Sequence, residues 1–304
     1  MKGRSKPVIR PDTIHHIYQN TRCGYLIFYS VKDYLVFLSI ISLTARKYGV
    51  QILGICMMAD HIHILVKIRE PLQLKSFVRD YSSLFTRKFN DYYQRTGSLF
   101  NPYGCAPKIG HKKIRSSIAY LYNNPVENHL VLRAEEDRWN LLAYTENRYP
   151  FSEKLRMDYA RWELRKALYE VKATRQRKRP LEYVRLERMT QHLSPRELEQ
   201  FTDYVIWKYN PVDYQAAIRF YGSYQQMLIA INSNTGSEYD LEEDAFAKDH
   251  RIFRKMIHFL TCTQGWQSMK EVLMLSESER ERLQLKLMRR FGATGREAAK
   301  LLRL

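Results

Sequence analysis

Apolar positions in the first third of the chain recur with strand-like and helix-like periods. CGYLIFYS (residues 23–30) is a run of aromatic and branched residues that predicts a buried strand. VQILGICMM and HIHILVKI predict two more strands, with a short link between them that suits a hairpin. Apolar residues at helical spacing predict helices over residues 33–48 and 72–93. The predicted order is strand, helix, strand, strand, helix.

Turn-forming residues break up the segment that follows. RTGSLFNPYGCAPKIG predicts a loop, and the helix that starts at Lys112 is expected to end at Asn124, because Pro125 interrupts helical hydrogen bonding. Helices that alternate with a few short strands predict an α+β fold, in which the helices pack on a small antiparallel sheet.

From about residue 150 onwards every periodic segment is helical. Ser194 with Glu197 and Ser276 with Glu279 form two predicted capping boxes, and the acidic stretch SEYDLEEDAFAKD between them predicts a solvated connection. The final LKLMRRFGATGREAAKLLRL has the cadence of a helix-turn-helix. Either its last helix reads DNA, or the element is incomplete or only structural.

Net charge narrows the choice of partner. The 304 residues include 50 Lys and Arg against 32 Asp and Glu, a formal net charge of +18, which favours nucleic acid over an acidic membrane as the partner. The apolar run from Tyr25 to Leu43 is interrupted by Lys32 and Asp33, too early to span a bilayer. The first residues lack an apolar signal core, so we expect a cytoplasmic, nucleoid-associated protein without a membrane partner.

Two basic clusters are candidates for contacts with DNA phosphates. The first opens the helix before Pro125, and the second lies in the segment that ends in RQRKRP. An ordinary solvated helix face is the alternative reading of both clusters. Their members are Lys112, Lys113 and Arg115, and Arg175, Arg177, Lys178 and Arg179.

His61 and His63 stand out within a predicted strand. Side chains alternate along a strand, so the two imidazoles share one face, roughly 6 to 7 Å apart by the rise per residue. They can converge on one metal ion, or they can be two core histidines with unrelated hydrogen bonds. The four cysteines lie far apart without a CxxC pair, which leaves His, Asn, Asp, Glu and Gln as metal ligands.

The helix before Pro125 carries a tyrosine and an asparagine on one flank. At 100° per residue, Tyr120 and Asn124 are about 40° apart, whereas Tyr122 falls on the opposite flank. Tyr120 can therefore share a pocket with Asn124, and Tyr122 cannot. A phenol, with an ordinary pKa of about 10, becomes a useful nucleophile when a divalent cation neutralises and orients a phosphodiester.

At these residues the sequence resembles the single-tyrosine HUH transposases of the IS200-like family. ADHIHILV looks like their histidine-hydrophobic-histidine motif, and AYLYNNPVENHLV looks like the tyrosine segment of their REP-associated branch. Residues 13 to about 145 follow the family pattern in order, from an opening strand HHIYQN to a tail at Trp139. The resemblance implies a ferredoxin-like sheet with packed helices.

The resemblance also implies an activity and a set of site residues. Tyr120 would be the nucleophile, and His61, His63 and Asn124 would hold Mg²⁺ or Mn²⁺. The reaction would cleave and rejoin single-stranded or hairpin DNA through a 5′-phosphotyrosine intermediate. Two departures concern substrate recognition: Ala59-Asp60 stands where the family usually has Pro-Asn or Pro-Glu, and Val126-Glu127-Asn128 replaces basic residues.

Three parts and one leading function follow from these patterns. We expect a catalytic domain over residues 1–150, a basic linker helix over 151–180 and a helical DNA-binding region over 181–304. The leading interpretation is a metal-dependent DNA transposase. The alternatives are a nicking endonuclease that serves DNA maintenance and a sequence-specific DNA-binding regulator without catalysis. The sequence leaves monomer and homodimer open.

Overall fold

A four-stranded antiparallel sheet forms the centre of the first half of the chain, in a computed structural model that describes residues 8–233 and 250–304. The strand order is β2-β3-β1-β4, and all neighbours pair antiparallel. Two helices connect the strands in the sequence βαββαβ, which with this strand order is the ferredoxin-like arrangement. The predicted α+β class is confirmed. The elements are β1 (Ile14–Asn20), α1 (Val31–Tyr48), β2 (Gln51–Met58), β3 (His61–Lys67), α2 (Pro71–Tyr93) and β4 (Gly104–Lys108).

The sheet carries an apolar core on each face. Ile17, Ile62 and Ile64 point toward α1 and α2, and Leu65 points toward the opposite core, which contains a third helix, α3 (His111–Glu127). Because side chains alternate along β3, the two histidines of the predicted motif share the α3 face with Leu65.

The buried strand predicted over residues 23–30 is wrong. The first strand is β1, and Leu26 and Ile27 are fully buried in an irregular segment. The Ile27 amide donates to Ala59 O at 2.9 Å, and the Leu26 amide donates to Lys300 O at 3.4 Å. The two backbone amides find hydrogen-bond acceptors outside the sheet. The apolar run is therefore buried without pairing as a strand.

Two further boundaries differ from the sequence prediction. The predicted loop over residues 95–110 contains β4, an edge strand paired with β1. Pro107 is tolerated there because an edge strand leaves one side without a hydrogen-bonding partner. The third helix does not end at Asn124: α3 continues past Pro125 to Glu127, since a proline near the end of a helix removes only one intrahelical hydrogen bond.

The C-terminal part of the chain is all-helical in its described residues, as predicted. The capping boxes at Ser194 and Ser276 are both present. The acidic stretch over residues 237–249 lies outside the described residues. The helices are α4 (Trp162–Gln176), α5 (Tyr183–Thr190), α6 (Pro195–Tyr209), α7 (Tyr214–Ile218), α8 (Tyr224–Asn232), α9 (Arg251–His258), α10 (Met269–Met274), α11 (Glu277–Phe291) and α12 (Gly295–Leu302).

Two C-terminal elements bear on the sequence predictions. The predicted basic linker forms α4, whose Leu164, Leu168 and Val171 are buried. The predicted helix pair exists as α11 and α12, and Gly292 caps α11 in the left-handed conformation with φ of 64°. DNA contact by this helix pair stays a prediction, and so does the division of the chain into three parts. One apolar cluster includes residues from Ile17 to Leu302, so it joins the first half of the chain to the last helix.

None of the helices in the two described ranges combines the length and the hydrophobicity that a membrane span requires.

A buried carboxylate joins α5 to the sheet and its helices. Asp33, in the first turn of α1, accepts hydrogen bonds from the Ser30 amide at 2.7 Å and from the Tyr93 hydroxyl at 3.0 Å. The Tyr183 hydroxyl of α5 donates to the same carboxylate at 2.9 Å. Asp33 is completely buried, so each donor replaces water that cannot reach it.

We predict that Tyr183→Phe lowers the free energy of unfolding by about 1–3 kcal/mol, because a buried acceptor loses a donor. Chemical denaturation followed by circular dichroism measures the change. Tyr169→Phe, at a tyrosine that is 73% exposed, is the matched control and should change the free energy little. Equal effects of the two variants would show that the Asp33 contact does not stabilise the fold.

Candidate functional site

β3 and α3 bring the two histidines and Asn124 together. His61 and His63 project from β3 toward α3, and Asn124 lies near the end of that helix. His61 Nε2 is 3.1 Å from Asn124 Oδ1, and Asn124 Nδ2 is 3.3 Å from His63 Nε2. The structure thus places at one point the three side chains that the family resemblance implies as metal ligands.

The far nitrogen of each ring is held by a second residue. His61 Nδ1 lies 2.8 Å from Asp60 Oδ1, and His63 Nδ1 lies 3.0 Å from His16 Nε2. Because the amide of Asn124 donates to His63 Nε2, the proton of His63 is on Nδ1 and is donated to His16. His63 therefore directs an unprotonated Nε2 at Asn124.

The contact between His61 and Asn124 joins two acceptors. An ionised carboxylate only accepts hydrogen bonds, so Asp60 keeps the proton of His61 on Nδ1 and leaves a lone pair on Nε2. At 3.1 Å that lone pair faces an amide oxygen, and a cation between them, either a proton or a metal ion, makes the contact favourable. Two imidazole nitrogens and one amide oxygen fit a divalent ion that keeps further positions open.

The amide is essential to such a site. Within residues 8–233 and 250–304, no group of three or more His, Cys, Asp and Glu side chains is placed to hold a metal ion. A metal site at this point therefore needs the oxygen of Asn124 to complete the donor set of His61 and His63.

Burial keeps the inner histidines neutral. Desolvation and the charge of Lys108 lower the pKa of His16 to about 3. Desolvation, together with the charges of His61 and His16, lowers the pKa of His63 well below its ordinary value. Neutral imidazoles are the form that binds a metal ion.

Tyr120 shares this pocket and Tyr122 does not. The Tyr120 ring centroid is 5.5 Å from that of His63 and 5.8 Å from that of His16, both in edge-on arrangements. Tyr122 is fully buried in the core between α3 and β2, so close to Gly54 that a Cβ on that glycine would lie 3.3 Å from its hydroxyl. The two tyrosines occupy the flanks that the helical angle predicts.

The pocket opens beside His61. The His61 side chain is 18% exposed, whereas Tyr120, His63 and Asn124 are 6%, 1% and 3% exposed. The nitrogens of the site are therefore most open to solvent on the His61 side.

The first basic cluster lies on the same helix as Tyr120. Lys112, Lys113 and Arg115 are all exposed in the first turns of α3. The Arg115 guanidinium carbon lies 4.8 Å from the centroid of the Tyr221 ring. These cations stand on the surface that leads along α3 toward the pocket.

The second basic cluster is larger than the sequence indicated. Arg177, Lys178 and Arg179 are exposed at the end of α4, and Arg175 Nε donates to Lys208 O at 2.6 Å. Around this contact a concentration of cations forms, named here the α4–α6 basic patch. Its members are Arg46, Arg148, Lys172, Arg175 and Lys208.

Two observations show the density of charge in the α4–α6 basic patch. The Lys208 ammonium and the Arg148 guanidinium lie 4.0 and 4.4 Å from the centroid of the Trp207 ring. Burial and the neighbouring charges of Lys172, Arg148 and Arg175 lower the pKa of Lys208. A patch that repels its own cations is suited to a polyanion.

Sequence reasoning missed the role of His16. The pairing of β1 with β3, in which Tyr18 is opposite His63 and His16 is opposite Leu65, puts His16 on the same face as the motif. The register of β1 against β3 is the feature that identifies His16 as a neighbour of the motif. Asp60 also faces His250 Nε2 at 3.9 Å and Lys300 Nζ at 3.5 Å, contacts that no local pattern indicates.

Part of the chain is similar to known proteins. Residues 15–124 match the model of the family described as "Transposase IS200 like". The search of curated proteins gives no match. One solved structure, "Structure of the REP associates tyrosine transposase bound to a REP hairpin", is similar at 12% identity and a TM-score of 0.37, over 45% of this chain and 81% of that chain.

We predict that His16 and His63 stay neutral in the metal-free folded protein at pH 5, because burial lowers both pKa values. Long-range ¹H–¹⁵N spectra of ¹⁵N-histidine-labelled protein report the charge of each ring. The same rings in urea should be protonated at pH 5, since an unperturbed imidazole has a pKa of about 6.5. A charged His16 or His63 in the folded protein at pH 5 would contradict the assignment of the proton network.

Proposed function

Because residues 15–124 match the model of the IS200-like transposase family, we propose that the chain cleaves and rejoins single-stranded DNA with Tyr120 as the nucleophile. The observation that carries the proposal is the position of the Tyr120 ring beside His63, at the point where the two histidines meet Asn124. A phenol becomes a useful nucleophile toward a phosphodiester when a divalent cation held beside it neutralises and orients the phosphate.

Transfer to tyrosine conserves the phosphodiester bond. Tyr120 Oη forms a bond to the phosphorus, the bond to the 3′ oxygen of the preceding nucleotide breaks, and that oxygen leaves as a 3′-hydroxyl. The phenol loses its proton and the departing oxygen gains one, so protons balance. The 5′-phosphotyrosine can then be attacked by another 3′-hydroxyl, which rejoins DNA without an external energy source.

The proposed metal ligands are His61 Nε2, His63 Nε2 and Asn124 Oδ1, and the ion is Mg²⁺ or Mn²⁺. When bound, such an ion neutralises phosphate charge and orients the scissile group for in-line attack. The protein's own part is to keep both Nε2 atoms unprotonated, through Asp60 and His16, and to exclude water from Tyr120 by burial.

Two surfaces are proposed to hold the DNA. Lys112, Lys113 and Arg115 would contact phosphates of the strand that enters beside His61. Arg175, Arg177, Lys178 and Arg179, with the rest of the α4–α6 basic patch, would hold a second stretch of backbone. A hairpin-forming substrate rests on the likeness of AYLYNNPVENHLV to the REP-associated branch. It would present a single strand and a duplex stem at once.

We predict that the wild-type protein, incubated with labelled hairpin DNA and Mn²⁺, forms a covalent adduct that resists denaturing electrophoresis. Tyr120→Phe should abolish the adduct, because the attacking oxygen is removed. Tyr122→Phe is the matched control and should retain the adduct, since Tyr122 is buried in the core away from the pocket. Chelation of the metal should also abolish the adduct.

The outcomes of this assay separate the competing functions. An adduct that survives Tyr120→Phe would sink Tyr120 as the nucleophile. Nicked product without rejoining would favour the nicking endonuclease. Tight binding of double-stranded sites without cleavage by the wild-type protein would favour the DNA-binding regulator.

We predict that Lys172→Gln with Lys208→Gln weakens DNA binding and reduces the salt dependence of the binding constant. Each phosphate contact that is lost lowers the slope of log K against log salt by about 0.7 to 0.9. Fluorescence anisotropy over a range of salt concentrations measures both quantities. A control pair at exposed lysines outside the patch, Lys154→Gln with Lys255→Gln, removes the same charge. An equal loss of DNA affinity in the two double variants would show a general effect of net charge and would contradict DNA binding at the patch.

A further inference from the structure

The last helix of the chain is docked on the segment that precedes α1. The Tyr25 hydroxyl donates to Leu304 O at 3.1 Å, and the Tyr29 hydroxyl donates to Leu301 O at 3.2 Å. Arg303 returns a hydrogen bond from its guanidinium to Leu26 O at 2.8 Å. α12 thus lies outside the matched range 15–124 in sequence and against it in space.

Lys300 reaches from this helix to the turn before the histidine motif. Its ammonium nitrogen is 3.5 Å from Asp60 Oδ2, and the two side chains are only 9% and 7% exposed. Gly24 makes room for the lysine stem, because a Cβ at that position would lie 2.9 Å from Lys300 Cε. The backbone at Gly24 has φ of 70°, a conformation that favours glycine.

Asp60 connects Lys300 to the histidine site. One carboxylate oxygen faces Lys300, and the other accepts the Nδ1 proton of His61 at 2.8 Å. The position of that carboxylate decides which nitrogen of His61 is left to face Asn124. A contact in α12 and a nitrogen in the catalytic pocket are therefore separated by one side chain.

We propose that Lys300 is a positioning residue of the catalytic site, which holds Asp60 so that Asp60 fixes His61 with Nε2 free for the metal ion. The C-terminal helix is then part of the active site, although it lies outside the family domain. The metal part of this inference rests on the proposed function. The physical reason is that a buried carboxylate without its cation reorients or recruits another proton.

A purely structural role for Lys300 predicts a different pattern. If Lys300 only anchors α12, its loss lowers stability and leaves the folded site unchanged. Arg303 provides the comparison, because it anchors the same helix through Leu26 and Tyr29 and has no contact with Asp60 among the interactions described for it.

The test compares Lys300→Met and Lys300→Arg with Arg303→Met in the full chain. Mn²⁺ affinity is measured by the electron paramagnetic resonance signal of the free ion, and the tautomer of His61 by long-range ¹H–¹⁵N spectra at pH 8 without metal. We expect Lys300→Met to weaken Mn²⁺ binding about tenfold or more, the scale of other residues that orient metal ligands. The Nδ1-protonated form of His61 should no longer predominate. Lys300→Arg should restore most of both properties, and Arg303→Met should lower the melting temperature without changing either.

Several results would overturn the proposal. The proposal fails if Lys300→Met keeps the wild-type Mn²⁺ affinity and the wild-type tautomer of His61. It also fails if Arg303→Met loses as much Mn²⁺ affinity as Lys300→Met. Lys300→Gln, a smaller change in polarity, replaces Lys300→Met if the latter does not fold. Failure of the proposed metal site is distinguishable: the wild-type protein would bind no Mn²⁺, and the tautomer readout would still decide whether Lys300 positions His61.

Discussion

The site depends on two neighbouring imidazoles that must present the same ring nitrogen to one point. Neutral histidine has two tautomers, and a strand alone does not choose between them. Here Asp60 accepts a hydrogen bond from Nδ1 of His61, and His16 accepts one from Nδ1 of His63, which selects the same tautomer in both rings. Asn124 then meets the Nε2 atoms of both rings, and Tyr120 packs edge-on beside His63.

The C-terminal half supports that arrangement through buried polar contacts and not merely through apolar packing. Tyr183 donates to Asp33 at the start of α1, and Lys300 faces Asp60 at the turn before the motif. Both contacts join residues far apart in sequence through fully or nearly buried carboxylates, whose loss of a partner is costly. The helices beyond residue 150 therefore contact both the start of α1 and the turn that carries Asp60.

Periodicity predicted much of the fold and the relative positions within the site, because both follow from local geometry. Alternation put His61 and His63 on one face, and the helical angle separated Tyr120 from Tyr122. The residues that fix the tautomers were not predictable in this way. His16 acts through a strand register, and Lys300 reaches Asp60 across 240 positions of sequence. The apolar segment at 23–30 has the pattern of a strand because burial against α12 and strand pairing require the same run of apolar residues.

The most direct measurement is to locate the DNA on the chain. A covalent complex trapped on hairpin DNA with Mn²⁺, digested with trypsin and nuclease, leaves a nucleotide on one peptide. Cleavage after Arg115 and Arg133 gives a peptide that contains both Tyr120 and Tyr122, so fragmentation by mass spectrometry distinguishes them. The account predicts a 5′-phosphate linked to the Tyr120 oxygen. A nucleotide on Tyr122, or on a residue outside this peptide, would contradict it.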